Sequence, residues 1–152
     1  MNIKIISYNS KYKEDFVRLN KAWLEEYFYI EPHDIATFEN VEQDIIQKEG
    51  MIFFCLIDNA VVGTVAMIKT NPLTYELAKM AVDKNFQGMK LSPLLMNACI
   101  DYAVSQKAKK IFLLSSTKLI PALNLYRKFN FIEVPLDETD YVRADIQMEL
   151  KL

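Results

Sequence analysis

Glu76 and Tyr126 are the two side chains of this chain best placed by type to move a proton. Glu76 opens the apolar run Leu77, Ala78, Met80, Ala81 and Val82. A carboxylate in such surroundings has its pKa raised toward that of a working base. The bland alternative is a strand-end carboxylate that faces solvent or pairs with Lys79, the one polar interruption of the run. Tyr126 carries a hydroxyl able to donate a proton, and its helical spacing equally suits a core aromatic. Between the run and the next helix lies Gln87-Gly88-Met89-Lys90-Leu91-Ser92. A loop opening a helix gathers unpaired N–H groups and the positive dipole end, which suits an anion such as pyrophosphate, although many loops share that property. His33 is the only histidine and stands beside Asp34 in an acidic, aromatic bend. One imidazole makes no metal site by itself, and a surface histidine is the plainer reading. Asn124 lies two residues before Tyr126, facing either a ligand or solvent.

The elements that must hold these residues follow from periodicity. The run from Tyr75 to Val82 is near-continuously apolar, as in a central strand covered on both faces. Ser92 suits a helix cap and Pro93 the first helical position, ahead of a face made by Leu91, Leu95, Ala98, Cys99 and Tyr102. Upstream, alternation through Ile3 and Ile5 predicts a first strand, and Asn9 and Ser10 offer caps for a helix burying Phe16, Leu19, Trp23 and Tyr27. Pro32 is expected to stop that helix. Asn40 and Gln43 resemble a capping box for a short second helix ending near Gly50. Met51 to Ile57 and Val61 to Lys69 read as a hairpin turning at Asp58-Asn59. Lys110 to Ser115 reads as a buried strand, and Ser116 or Thr117 as the cap of a helix through Phe129. Asn130 suits the left-handed residue that ends a helix. Phe131 to Val134 and Tyr141 to Leu152 are the expected last strands, the latter alternating cleanly enough to pair across a dimer edge.

A length of 152 residues suits one domain, expected over 1–152, burying about 70% of its unfolded surface. A net charge of −2 without a long basic run argues against a nucleic-acid surface. Two cysteines make neither a disulfide framework nor a metal cluster. With no membrane-length apolar stretch and no signal-peptide core, a cytoplasmic protein is the expectation.

Spacing adds more. Gln87 to Ser92 resembles the Gln/Arg-x-x-Gly-x-Gly/Ala loop of the GNAT superfamily of acyl-CoA-dependent N-acetyltransferases, with Ser92 as a small substitute and Lys90 where the family usually has Gly. Ala122 to Phe131 is similar to the family's Ala-x-x-x-Tyr-x-x-x-Gly-Phe, with Asn130 at the Gly position. The resemblance implies an α/β fold with a mixed, mainly antiparallel central sheet, helices on both faces, and acetyl-CoA as co-substrate across a splay between central strands. It implies no metal. It places Met80, Ala81 and Val82, the loop Gln87, Gly88, Met89, Lys90, Leu91 and Ser92, and Asn124 at the cofactor. It gives Glu76 the role of base, often acting through water, and Tyr126 that of acid toward the departing thiolate. It puts Tyr27, Tyr29, Glu31 and His33 at the acceptor, a small-molecule or peptide primary amine that attacks directly. Glu25, Glu26, Glu31, Asp34, Asp137, Glu138 and Asp140 would favour a cationic amine if they line the cleft, and are otherwise solvated loop carboxylates. Two rival readings are a CoA-binding or sensing module without turnover, favoured by Lys90, and a plain interaction domain.

Overall fold

A computed structural model describes residues 1–139 and 141–152; Asp140 lies outside the described residues. The sheet is built from β1 (Ile3–Ser7), β2 (Met51–Ile57), β3 (Ala60–Asn71), β4 (Thr74–Val82), β5 (Lys110–Ser115), β6 (Ile132–Val134) and β7 (Ile146–Lys151). Their spatial order is β1-β2-β3-β4-β5-β7-β6. Every neighbouring pair is antiparallel except β4 with β5. Asp58 and Asn59, between β2 and β3, both have φ in the left-handed region, 48° and 70°, as a tight two-residue hairpin requires.

The helices are α1 (Lys13–Tyr27), α2 (Pro32–Glu39), α3 (Leu91–Ser105) and α4 (Ile120–Lys128). Side-chain alternation along the strands feeds two cores. Cys55, Val65, Met67, Tyr75 and Leu77 meet α3 and α4 through Leu95, Met96, Cys99, Leu123 and Tyr126. Phe54, Ile52, Ala66 and Ala81 meet α1 and the segment after α2 through Phe16, Leu19, Val41 and Ile45. Helices therefore cover both faces, as the motif resemblance implies.

Several boundaries differ from the sequence reading. Pro32 does not merely stop α1, which ends at Tyr27; it opens α2 at a position where its missing N–H costs nothing. Asn40 forms no capping box, because its amide donates back to the Ala36 carbonyl and the chain continues into a π-type turn over Glu42–Ile46. Asn9 caps only the short 3₁₀ turn Ser10–Tyr12 that leads into α1. Ser92 is not the cap of α3: Lys90 holds that place in the left-handed conformation, so Ser92 and Pro93 lie inside the first turn. Thr117 does not cap α4, since its N–H and hydroxyl both bond the Asp145 carboxylate and the helix starts at Ile120. Asn130 does take the left-handed conformation, with φ 71°. The last strand begins at Ile146 instead of Tyr141, and it lies between β5 and β6. β5 covers one of its edges throughout and β6 covers Gln147 to Glu149 of the other, which leaves Leu150 and Lys151 for the expected dimer pairing along this strand; the sheet's edges are β1 and β6.

Candidate active site

The parallel pairing of β4 with β5 covers Thr74 to Glu76 against Lys110 to Phe112 and stops there. Beyond it β4 runs on to Val82 and β5 to Ser115, and among the described residues β4 keeps only β3 as a partner. The two strands thus splay from a vertex at Glu76, leaving backbone polar groups of β4 facing the gap. β4 is also bulged. The register with β3 slips between the pairs Thr64↔Ala81 and Ala66↔Ala78, and Lys79 has φ 58°. A bulge swaps the faces of the residues that follow it. Accordingly Met80 and Val82 pack on the α3 side and Ala81 on the α1 side.

Glu76 faces the α1 side, opposite Ile68 of β3, which packs there. Burial pushes its carboxyl up to about 7, against a downward pull from Lys79. Glu76 is then half ionised near neutral pH. Tyr126 lies on the other side, in the α3–α4 core, with only 9% of its surface exposed. Burial raises its hydroxyl to about 12, partly offset by a hydrogen bond with Ser115, the last residue of β5. It stays protonated at any working pH.

Where β4 ends, Asp83 caps a short turn over Lys84–Phe86 by accepting from the Asn85 N–H at 2.9 Å. Gln87 lies back toward the strand, its amide donating to the Val82 carbonyl at 3.4 Å. Gly88 has φ 84°, and a Cβ built on it would meet nothing within 4 Å, so the loop is open there. Met89 packs against the α3 core and Leu91 is buried in it, while Lys90 and Ser92 begin the helix. The N–H groups of that first turn have no intrahelical partner. The open glycine, the fifteen-residue helix α3 and its free N–H groups fit a diphosphate. Asn124 is exposed on α4.

On the α1 side the acceptor candidates divide. Tyr27 and Tyr29 are 39% and 57% exposed; Tyr27 packs on Trp23 with ring centroids 5.4 Å apart. Its carbonyl accepts from Lys118 Nζ at 3.2 Å, and that ammonium also lies 4.0 Å over the Phe28 ring. His33 meets the Tyr141 ring edge-on at 4.8 Å. Glu31 is buried instead of lining an open cleft. It accepts from the Val142 N–H at 2.8 Å and from Arg143 at 2.9 Å.

Arg143 also grips Asp34 with both terminal nitrogens, each at 2.8 Å. Lys79 pairs with Asp34 too, sharing Oδ1 with one of the two guanidinium nitrogens. Burial alone would raise the Asp34 carboxyl, but hydrogen bonds from Arg143, Lys79 and the Glu31 N–H bring it down to about 2. Glu31 and Asp34 are therefore neutralised in place, and the electrostatic case for a cationic acceptor loses both. Glu26 is spent in part on Lys84 at 3.6 Å, and Asp137 is engaged by Gln147. Tyr141, Arg143 and the partnership of Asp34 with Lys79 were not visible as a site in the sequence. The one signal was a lysine inside an otherwise apolar strand.

Among the described residues no group of three or more His, Cys, Asp or Glu could hold a metal, and no helix is long and apolar enough to cross a membrane. Residues 16–131 match the family model described as the Acetyltransferase (GNAT) family. Among solved structures, an acetyltransferase of the GNAT family from Staphylococcus aureus Mu50 is 23% identical, with 99% of each chain covered and a TM-score of 0.88. The PaiA N-acetyltransferase from Thermoplasma acidophilum, solved in complex with coenzyme A, is 14% identical, with both chains covered in full and a TM-score of 0.80. YncA, a putative acetyltransferase from Salmonella typhimurium solved with its cofactor acetyl-CoA, is 15% identical, covers 99% of this chain and 94% of that one, and has a TM-score of 0.77. Among curated protein sequences none matches this chain.

Proposed function

The chain belongs to the GNAT acetyltransferase family, and on that premise we propose that it transfers the acetyl group of acetyl-CoA directly to a primary amine across the splay between β4 and β5. The observation that carries this reading is the placement of a half-ionised carboxylate and a protonated phenol on opposite faces of the sheet at that splay. Glu76 takes the proton of the incoming ammonium on the α1 side, directly or through water, because only the neutral amine has a lone pair. Backbone N–H groups of β4 near Met80 and Ala81 supply donors to the carbonyl oxygen as charge develops on it. Tyr126 donates to the sulfur on the opposite side as the C–S bond breaks. Its pKa of about 12 lies roughly 3 to 4 units above that of an ordinary thiol. The hydroxyl therefore acts mainly as a hydrogen-bond donor to the thiolate, which takes its final proton from solvent.

Met80, Ala81, Val82, the loop Gln87 to Ser92 and Asn124 would hold the cofactor, with the open backbone at Gly88 and the start of α3 taking the phosphates. Tyr27, Tyr29 and His33 line the acceptor side, with Glu31 fixing its wall. With Glu31 and Asp34 neutralised, exposed aromatic surface is the better guide to the acceptor. An amine with an apolar or aromatic flank, on a small molecule or a peptide, fits best. Free, buried Cys55 and Cys99 suit a cytoplasmic setting, and any homodimer would use surfaces beyond the paired part of β7. Thiol release from acetyl-CoA with a panel of aliphatic, aromatic and peptide amines tests the proposal. Acceptor-dependent release is expected; measurable CoA binding with no release for any amine would leave a binding module.

A further inference from the structure

The mechanism above uses Glu76 and leaves unexplained the buried cation three residues later. In a regular strand, residues three apart point to opposite faces. Glu76 and Ala78 share the α1 side, since their partners Ile68 and Ala66 pack there, so an unbulged Lys79 would enter the opposite core. Its left-handed backbone, φ 58°, returns it to the face of Glu76. There its ammonium meets Asp34 and lies 5.6 Å from the Phe38 ring, both on α2. A lysine in this conformation is costly and persists only where its surroundings over-determine it. They do so here: Nζ also donates to the Tyr141 hydroxyl at 2.8 Å, and its side chain is 5% exposed. Arg143 also holds Asp34 with two hydrogen bonds, but it is shared with Glu31, so the two carboxylates take both cations to balance.

We propose that Lys79 is a positioning residue for Glu76: the bulge of β4 carries its ammonium onto the face of the base, and Asp34 and Tyr141 pin it there to favour the ionised carboxylate. This rests on Glu76 being the base. Among the described residues, the charged and titratable groups linked to Lys79 through Asp34 and Tyr141 are Glu31 and His33 at the start of α2 and Arg143 before β7; Tyr8, Tyr12, Arg18 and Glu42 belong to the α1 side away from this cluster's contacts. The Lys110–Glu149 pair lies on the next two strands, with Glu149 in the row of Glu76 through Phe112 and Lys110 in the row of Thr74. Glu31, Asp34, Arg143 and Lys79 sum to zero, so the ionisation of Glu76 answers to the member that shares its strand and its face, Lys79. Lys79 draws the Glu76 carboxyl downward, against the upward push of burial.

The test is carboxyl NMR of the folded protein with ¹³C-labelled glutamate, the Glu76 signal assigned by its loss in Glu76→Gln. In Lys79→Met the Glu76 midpoint should rise by about 1 unit, as expected for removal of a nearby opposite charge. Lys79→Arg should hold it near the wild-type value. In parallel, kcat/KM of Lys79→Met should fall about fivefold at pH 7 and recover above about pH 9, with KM for acetyl-CoA unchanged. A merely structural lysine would lower activity at every pH without moving either midpoint. An unmoved Glu76 midpoint in folded Lys79→Met overturns the proposal. A moved midpoint with an unmoved rate profile upholds the coupling and removes Glu76 as the base. Should Lys79→Met not fold, the wild-type Lys79 ¹³Cε signal decides. It should shift at the Glu76 midpoint and lose that step in Glu76→Gln, and no step would overturn the proposal.

Discussion

At Lys90 the backbone decides what a side chain costs. The residue takes φ 60° and ψ 38° as the cap of α3, a conformation that glycine adopts freely and lysine at roughly 1 kcal/mol. The family's glycine at this position is thus explained by local conformation as well as by close approach of a phosphate. Lys90→Gly should raise Tm by about 2–4 °C, read by thermal unfolding. Calorimetry of CoA binding then separates two roles: tighter binding means that Lys90 obstructs, and weaker, less salt-sensitive binding means that it supplies charge. An unchanged Tm would show that the left-handed strain is absent. Tyr126→Phe keeps the ring that packs on Phe131 and removes only the hydroxyl. Turnover should drop about 10²-fold with CoA affinity and stability nearly intact, and no ionisation from this residue should enter the rate profile below about pH 11. Unchanged turnover with chemistry rate-limiting would return Tyr126 to a packing role. The places of both residues in the fold were legible from motif spacing, because spacing encodes position along an element. Lys79 and Arg143 were not, because what makes them important is a bulge and an ion cluster joining residues more than forty apart.

Elements read from strong periodicity, β2 to β4 and α3, lie close to where the sequence places them, and those closed by tertiary contacts do not. α2 carries a weak signal, since glutamate is an uncommon cap; its stability comes from Asp34 accepting the Glu31 N–H at 2.9 Å and from the guanidinium that bridges both carboxylates. The same guanidinium explains why Tyr141 to Asp145 are not strand despite their alternation. Arg143 is drawn onto α2, Tyr141 lies 4.3 Å beneath it, and Val142 donates to Glu31. Helix α2 and residues 141–143 are therefore one mechanical unit, which the proposed reaction would use as its acceptor wall. Arg143→Ala leaves two buried carboxylates with Lys79 alone. Removing one partner of a buried pair costs about 3–5 kcal/mol, and the low end is expected because Arg143 retains 15% side-chain exposure. Urea unfolding should show that loss, and hydrogen exchange at the Val142 amide should accelerate. Arg143→Lys, with charge but no fork, should fall between. Wild-type stability in Arg143→Ala would mean that the unit is held by packing alone.

Across the whole molecule, two carboxylates act on stability in opposite directions. Asp34 titrates in the fold near 2, below its ordinary 3.8; a depressed acid stabilises above its unfolded pKa, and that contribution disappears as pH falls toward 2. Glu76 titrates near 7, above its ordinary 4.5. A raised acid destabilises the fold as pH climbs, beginning near 4.5 and complete above about 7, because the unfolded chain ionises first. The shift from 4.5 to about 7 corresponds to roughly 3 kcal/mol at full ionisation, a large fraction of the stability of a domain this size. A carboxylate poised near neutrality is thus maintained against the stability of the fold that holds it. Glu76→Gln removes the titration while keeping size and polarity. Its advantage over wild type should be near zero at pH 4, grow through the interval from 4.5 to 7, and level off above, reaching about 5 °C or more in Tm at pH 8. Calorimetric scans of both proteins from pH 4 to 8.5 measure it. A constant difference across that range would mean that Glu76 ionises in the fold as it does in water, and the splay vertex would then lack the base that the proposed reaction requires.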